Sequence, residues 1–170
     1  MNKEDEEIRN LSLTGRMILC LLAFESFCKD HRLESSEIHE FIDYMWKWPL
    51  IEGSDQFDPW IKSSPTLIDF ALGNELPESM VCKLADCNIE EQRFRNVIEG
   101  LVDIVWGSFW GASEDLQSYE SFQKSIKSMK IEGLPPITPI KFSRFKENGG
   151  WGERPSLKDY EYWQKLRCSA

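Results

Sequence analysis

In a chain of 170 residues, few side chains stand at a spacing that does chemistry. Histidine, the usual proton carrier near neutral pH, occurs only as His31 and His39, and neither lies in HExxH or another metal-binding or catalytic spacing. Asp30, His31 and Glu34 come nearest to a ligand trio, around the end of one expected helix, and a small metal-dependent enzyme would have to be built on them. A histidine at a helix C-terminus is equally well explained by the helix dipole. The five cysteines, Cys20, Cys28, Cys82, Cys87 and Cys168, contain no CxxC knuckle, so neither a zinc site nor a disulfide framework is expected. GxGxxG, GxxxxGK[ST], GxSxG and DFG-like strings are absent, and Gly149-Gly150-Trp151-Gly152 lacks the strand-before, helix-after context of a phosphate loop. The expectation is a protein that is not an enzyme and carries no cofactor or metal.

What the sequence does place together is carboxylates and aromatics. Glu52, Asp55, Phe57, Asp58 and Trp60 fall within one short polar stretch, just after Trp46 and Trp48. Each tryptophan has two readings, as a cap on the core or as an exposed interface anchor beside steering carboxylates. Charge is unevenly spread: the first 120 residues hold 10 basic and 24 acidic side chains, the last 50 hold 10 basic and 5 acidic. The net −14 of the first part repels nucleic-acid phosphates and attracts cationic partners. In the basic part, Lys124, Lys127 and Lys130 match the negative end of a helix. Lys141, Arg144, Lys146 and Arg154, interleaved with Phe142, Phe145 and Trp151, are the kind of cluster that stacks on single-stranded bases.

The elements that must position these groups read as helices. Residues 14–30 carry Met17, Cys20, Leu21, Phe24, Phe27 and Cys28 three and four apart, with Thr14 as N-cap; Ile18, Leu19 and Leu22 make the helix apolar nearly all round, which places it at the centre. A second helix is expected over 36–46, capped by Ser35 or Ser36 and stopped by Pro49. Residues 50–64 lose periodicity and read as a loop. Short helices follow at 65–72 and 77–85, then long ones at 89–110 and 113–130. Gly133, Pro135, Pro136 and Pro139 make 133–155 irregular, with an extended, edge-strand run through 140–142 and a turn at 148–150, before a last helix at 156–167. The fold expected is mainly α: a single irregular helical bundle, with a helical core over 1–132.

Seven Trp, ten Phe and four Tyr demand a real core. The longest apolar run, 17–24, has eight residues, against about 20 needed to span a bilayer. The acidic 1–7 segment is unlike a secretory leader, so we expect a cytoplasmic protein with no membrane or nucleic-acid partner.

An acidic, mostly helical chain of this size, rich in aromatics and without a catalytic string, resembles the immunity proteins that bacteria encode beside polymorphic or contact-dependent toxins. The resemblance lies in size, charge and class over the whole chain rather than in a motif. It implies an inhibitor of a cognate toxin domain, often a basic nuclease. The residues it would use are Glu52, Asp55, Asp58 and Trp60, with Glu37 and Glu40 on the preceding helix, the carboxylates standing in for nucleic-acid phosphates. The alternatives are the metal-dependent enzyme at Asp30, His31 and Glu34, or a helical adaptor subunit.

Overall fold

A computed structural model describes residues 3–138, 140 and 143–169. The chain is mainly α-helical, and no strand occurs among the described residues. In order, the helices are α1 (Lys3–Arg9), α2 (Leu13–His31), α3 (Ser36–Lys47), α4 (Ser54–Lys62), α5 (Thr66–Ala71), α6 (Glu78–Asp86), α7 (Glu91–Trp106), α8 (Asp115–Met129) and α9 (Leu157–Ser169). Single 3-10 turns lie at Trp48–Leu50 and Asn148–Gly150. No described helix is long and apolar enough to cross a membrane.

Helix α2 is the axis, because every residue from Leu13 to Phe24 is buried. Its N-cap is Ser12, not Thr14: the Ser12 hydroxyl accepts the Gly15 amide at 3.0 Å, which leaves Thr14 inside the first turn. The helix ends at Arg32, whose left-handed backbone (φ 53°) aims its amide at the Cys28 and Lys29 carbonyls. Helices α7 and α8 complete the central layer, and their closeness is a property of Gly100. A Cβ at that position would lie 2.7 Å from both the Ser121 carbonyl oxygen and the Ser125 amide nitrogen, so only glycine admits α8. The Ser125 hydroxyl then donates to the Val97 carbonyl at 2.8 Å.

Arginines tie the outer elements on. The Arg93 guanidinium donates to the Ser128 and Met129 carbonyls at the open end of α8, both at 2.7 Å. Arg95 lies 3.8 Å over the Phe70 ring and donates to the Phe70 and Asn74 carbonyls, which joins α7 to α5. Arg16, with a side chain 0% exposed, donates to the Arg9 carbonyl and to both the carbonyl and the carboxylate of Asp115. Its guanidinium also lies 5.7 Å from the Tyr119 ring centre and 5.5 Å from that of Phe145. One buried charge therefore holds α1, α2, α8 and the C-terminal segment at a single point.

Several expected boundaries move. The stretch 50–64 is not a loop: it contains α4, although Pro59 lies inside that helix and supplies no N–H for its bond. Gly53 (φ 69°) turns the chain into it, and the Gln56 side chain accepts the Glu52 amide at 2.8 Å. The helix expected over 89–110 stops at Trp106, because Ser108 and Phe109 close 3-10-type bonds back to Val105 and Trp106. Helix α1 had no clear periodic signal. Ser156 and Asp159 form a reciprocal capping box that starts α9. The C-terminal edge strand reduces to one isolated bridge, Leu11 with Arg144, flanked by Ser12 N–H to Ser143 O and Phe145 N–H to Asn10 O, each 3.0 Å. Lys141 and Phe142 of the expected extended run lie outside the described residues. Gly152 (φ 82°) is obligatory beside that bridge, since a Cβ there would overlap Ser143 Oγ and Ser12.

Two outcomes follow from this packing. Asp115→Ala leaves the Arg16 charge buried with only carbonyls; because Asp115 is itself 40% exposed, the loss should be about 2 kcal/mol rather than the 3–5 of a fully buried pair. A melting temperature lower by about 4–8 °C would register it, and an unchanged one would refute the role given to this pair. Thiol labelling at pH 8 should modify exposed Cys82 within minutes and spare Cys20, whose thiol is wholly buried and pushed up to about 12 by desolvation. Labelling of Cys20 at the rate of Cys82 in the folded protein would contradict the central placement of α2.

Candidate functional site

Asp30, His31 and Glu34 do not form a metal corner among the described residues. His31 Nδ1 sits 3.0 Å from the Phe27 carbonyl and its ring packs 4.4 Å from the Phe27 ring, turned back on its own helix. The chain passes through left-handed Arg32 before it reaches exposed Glu34. Among the described residues no group of three His, Cys, Asp or Glu side chains could hold a metal.

The aromatic residues, in contrast, converge. Trp60 stacks on Tyr44 (4.5 Å between ring centres, 8° between planes) and lies 5.3 Å from Trp48 and 5.4 Å from Trp106. Phe109 is a second hub, at 4.8 Å from Trp48, 5.1 Å from Phe57 and 5.1 Å from Trp106. It is also 5.7 Å from both Trp110 and Trp151, and nearly parallel to the latter at 11°. The rings come from four separate pieces of chain: the end of α3 with its 3-10 turn, α4, the end of α7, and the glycine-rich turn before α9. The Ser113 hydroxyl donates to the Gly149 carbonyl and fastens the Trp110 loop to that turn.

The cluster is graded in exposure. Trp60 is 6% exposed, Phe57, Trp48, Phe109 and Trp151 are half-buried, and Trp110 is 72% exposed. Of the two readings open for Trp60, the structure takes the core cap: it is part of the foundation, and its indole N–H donates to the Tyr44 carbonyl at 3.1 Å. Trp46 belongs elsewhere again, with its N–H on Glu25 at 2.6 Å and its ring edge-on to Tyr160. Two polar atoms within the cluster, Trp48 Nε1 and the Tyr44 hydroxyl, are buried without a hydrogen-bond partner among the described residues. Burial alone raises the Tyr44 phenol above its ordinary pKa.

Carboxylates edge this cluster. Asp55 and Asp58, either side of Phe57 on α4, are exposed, and neither is in an ion pair among the described residues. Glu52 is exposed but paired with Arg154 at 2.7 Å. Glu37 and Glu40 do not join them. Glu37 lies near the start of α3, roughly 16 Å along the helix axis from Trp48. There its carboxylate accepts the Ser79 hydroxyl at 2.9 Å, and its own backbone amide, then Ser79, hold it below the usual carboxylate pKa. Glu40 is exposed on the same early part of α3.

Of the six residues singled out from sequence, three edge the aromatic surface, one lies beneath it and two stand apart. The residues that sequence reasoning did not connect to it are Trp106, Phe109, Trp110 and Trp151. For the first three the local signal is the density of rings in Trp106-Gly107-Ser108-Phe109-Trp110-Gly111, and for Trp151 it is the glycine-rich turn that holds it. The cluster presents a partly desolvated apolar face, on one helix of which, α4, stand two exposed carboxylates outside any ion pair among the described residues. Comparison with family models, with curated proteins and with solved structures returns no match for the chain.

Truncation separates foundation from face. Trp60→Ala should cost about 3–5 kcal/mol in denaturant unfolding, whereas Trp110→Ala should change stability by less than about 0.5 kcal/mol. Equal losses would mean that Trp110 is a structural ring like Trp60.

Proposed function

We propose that the protein is an inhibitory binding partner, an immunity protein that neutralises a cognate toxin domain by occupying it and that catalyses nothing itself. The observation that carries this reading is Trp110, 72% exposed at the lip of a continuous ring cluster whose neighbouring acids, Asp55 and Asp58, have no cationic partner among the described residues. A large exposed indole backed by a rigid base gives contact area with little ordering cost, which is how interface hot spots are built. Unpaired carboxylates on α4, the helix that brings Phe57 to the cluster, steer a basic partner and offer charge-assisted hydrogen bonds to its Lys and Arg, in place of the phosphates that a nuclease would bind. The partner this favours is a basic protein domain met in the cytoplasm. The net charge of −9 favours the same encounter.

A tagged full-length chain, purified at low salt from its native cells, should bring down a basic domain in one-to-one ratio, and adding the protein should abolish that domain's toxic activity. With the two purified, Asp55→Lys with Asp58→Lys should slow association about tenfold or more, most at low ionic strength. Trp110→Ala should speed dissociation about thirtyfold, the equivalent of a 2 kcal/mol hot spot. On-rate and affinity unchanged by all three substitutions would remove the site. A co-purified domain whose toxicity persists in the complex would remove the inhibitory role.

A further inference from the structure

The segment that delivers Trp151 to the ring cluster also lines a cleft of opposite electrical character. Arg144, Phe145 and Lys146 form one side of an open cleft of about 680 Å³, with Arg9 and Glu6 of α1 and Asp115 of α8 on the other sides. The Asp115 carboxylate is taken by Arg16, so Glu6 is the remaining carboxylate of the lining, against three cations. Among the described residues, none of Arg9, Arg144 and Lys146 is in an ion pair, although the chain as a whole carries −9. Arg9 instead lies 5.7 Å from the Tyr119 ring centre. Behind them, Arg16 touches Arg9, Asp115 and Phe145, and its Nε is buried without a partner. Asp115 opens α8, whose preceding residue, Glu114, makes no side-chain cap bond, so the positive end of a 15-residue helix also faces this region.

We propose that this cleft binds a small organic phosphate. Converging, unpaired guanidinium and ammonium groups suit a group with two or more negative charges, since each forms charge-assisted bonds to phosphate oxygens. The half-buried Phe145 adds an apolar wall for the organic part. The volume lies within the roughly 300–1,000 Å³ range of small-molecule sites. A long nucleic-acid strand is disfavoured, because the chain as a whole carries −9 and repels an extended run of phosphates. The single-strand cluster expected from sequence is also divided: Arg154 is paired with Glu52 and lines a different groove with Trp48 and Trp151. The proposal stands independently of the toxin-binding reading.

Isothermal titration of the full-length protein with ATP and with inorganic pyrophosphate tests it. ATP should bind one site with a Kd of about 1 mM or tighter at low salt, weaken several-fold in about 0.3 M salt, and bind more tightly than pyrophosphate. Arg144→Ala and Lys146→Ala should each weaken ATP about fivefold or more without lowering the melting temperature, and Arg154→Ala should leave binding unchanged. Absence of heat from both probes, or binding indifferent to the Arg144 and Lys146 substitutions, overturns the proposal. So does equal affinity for the two probes, which would show that charge alone is recognised, and so does a single-stranded oligonucleotide that binds this site more tightly than ATP.

Discussion

The structure depends on one charge taken out of water. Arg16 sits on the most apolar helix of the chain, where burial pulls its pKa down and the Asp115 hydrogen bond and charge pull it back. An arginine does not escape this cost by losing its proton, so the surroundings must satisfy it. They do so at its two terminal nitrogens, leaving Nε without a partner among the described residues, with groups from other elements: a carbonyl from the end of α1, the first residue of α8, and two aromatic rings, one of them in the C-terminal segment. A buried ion pair of this kind adds little net stability, because desolvation offsets most of the attraction. What it does here is geometric: moving α1 or α8 away would strip the buried guanidinium's terminal nitrogens of the partners they have.

That constraint reaches the aromatic cluster through a short chain of contacts. With Phe145 held against Arg16, the next turn places Gly149 under the Ser113 hydroxyl and Trp151 against Phe109. The loop carrying Trp110 is thus fastened at both ends, to α7 through the Phe109 turn and to the glycine-rich turn through Ser113. An exposed indole on a mobile loop would lose much of its binding energy in becoming ordered; one on a fixed base keeps it. The same fastening sets the unpaired Arg144 and Lys146 beside α1 and α8, so two surfaces of unlike charge share one support.

Polar groups do most of the joining elsewhere too. Arg93 closes the carbonyl end of α8, Arg95 joins α7 to α5, and Arg167 pairs with Glu25 at 2.9 Å to hold α9 on α2. The apolar residues supply the driving force for collapse, which is non-directional. These directional bonds then select one packing of short helices that hydrophobicity alone would leave interchangeable.

Helix class, the central helix and most helix starts were legible in the sequence, because they rest on local chemistry. The all-round apolar run of 17–24 demands burial on every side, and Ser35 and Ser156 supply cap oxygens within three residues of the amides they accept. Local signals failed where tertiary contacts overrode them: Pro59 marks a break by itself, yet the burial of Trp60 against Tyr44 keeps α4 helical across it. The carboxylates of the candidate surface could be read in advance for the same local reason, as Asp55 and Asp58 are polar positions on a short exposed helix. Which rings would meet them could not, because a tryptophan has the same propensity whether it ends in the core or at the lip. Only the long-range fit decided that Trp60 is foundation and Trp110 is face. The same fit set Glu37 apart and made Arg16, one basic residue in an apolar helix, the point on which four segments converge.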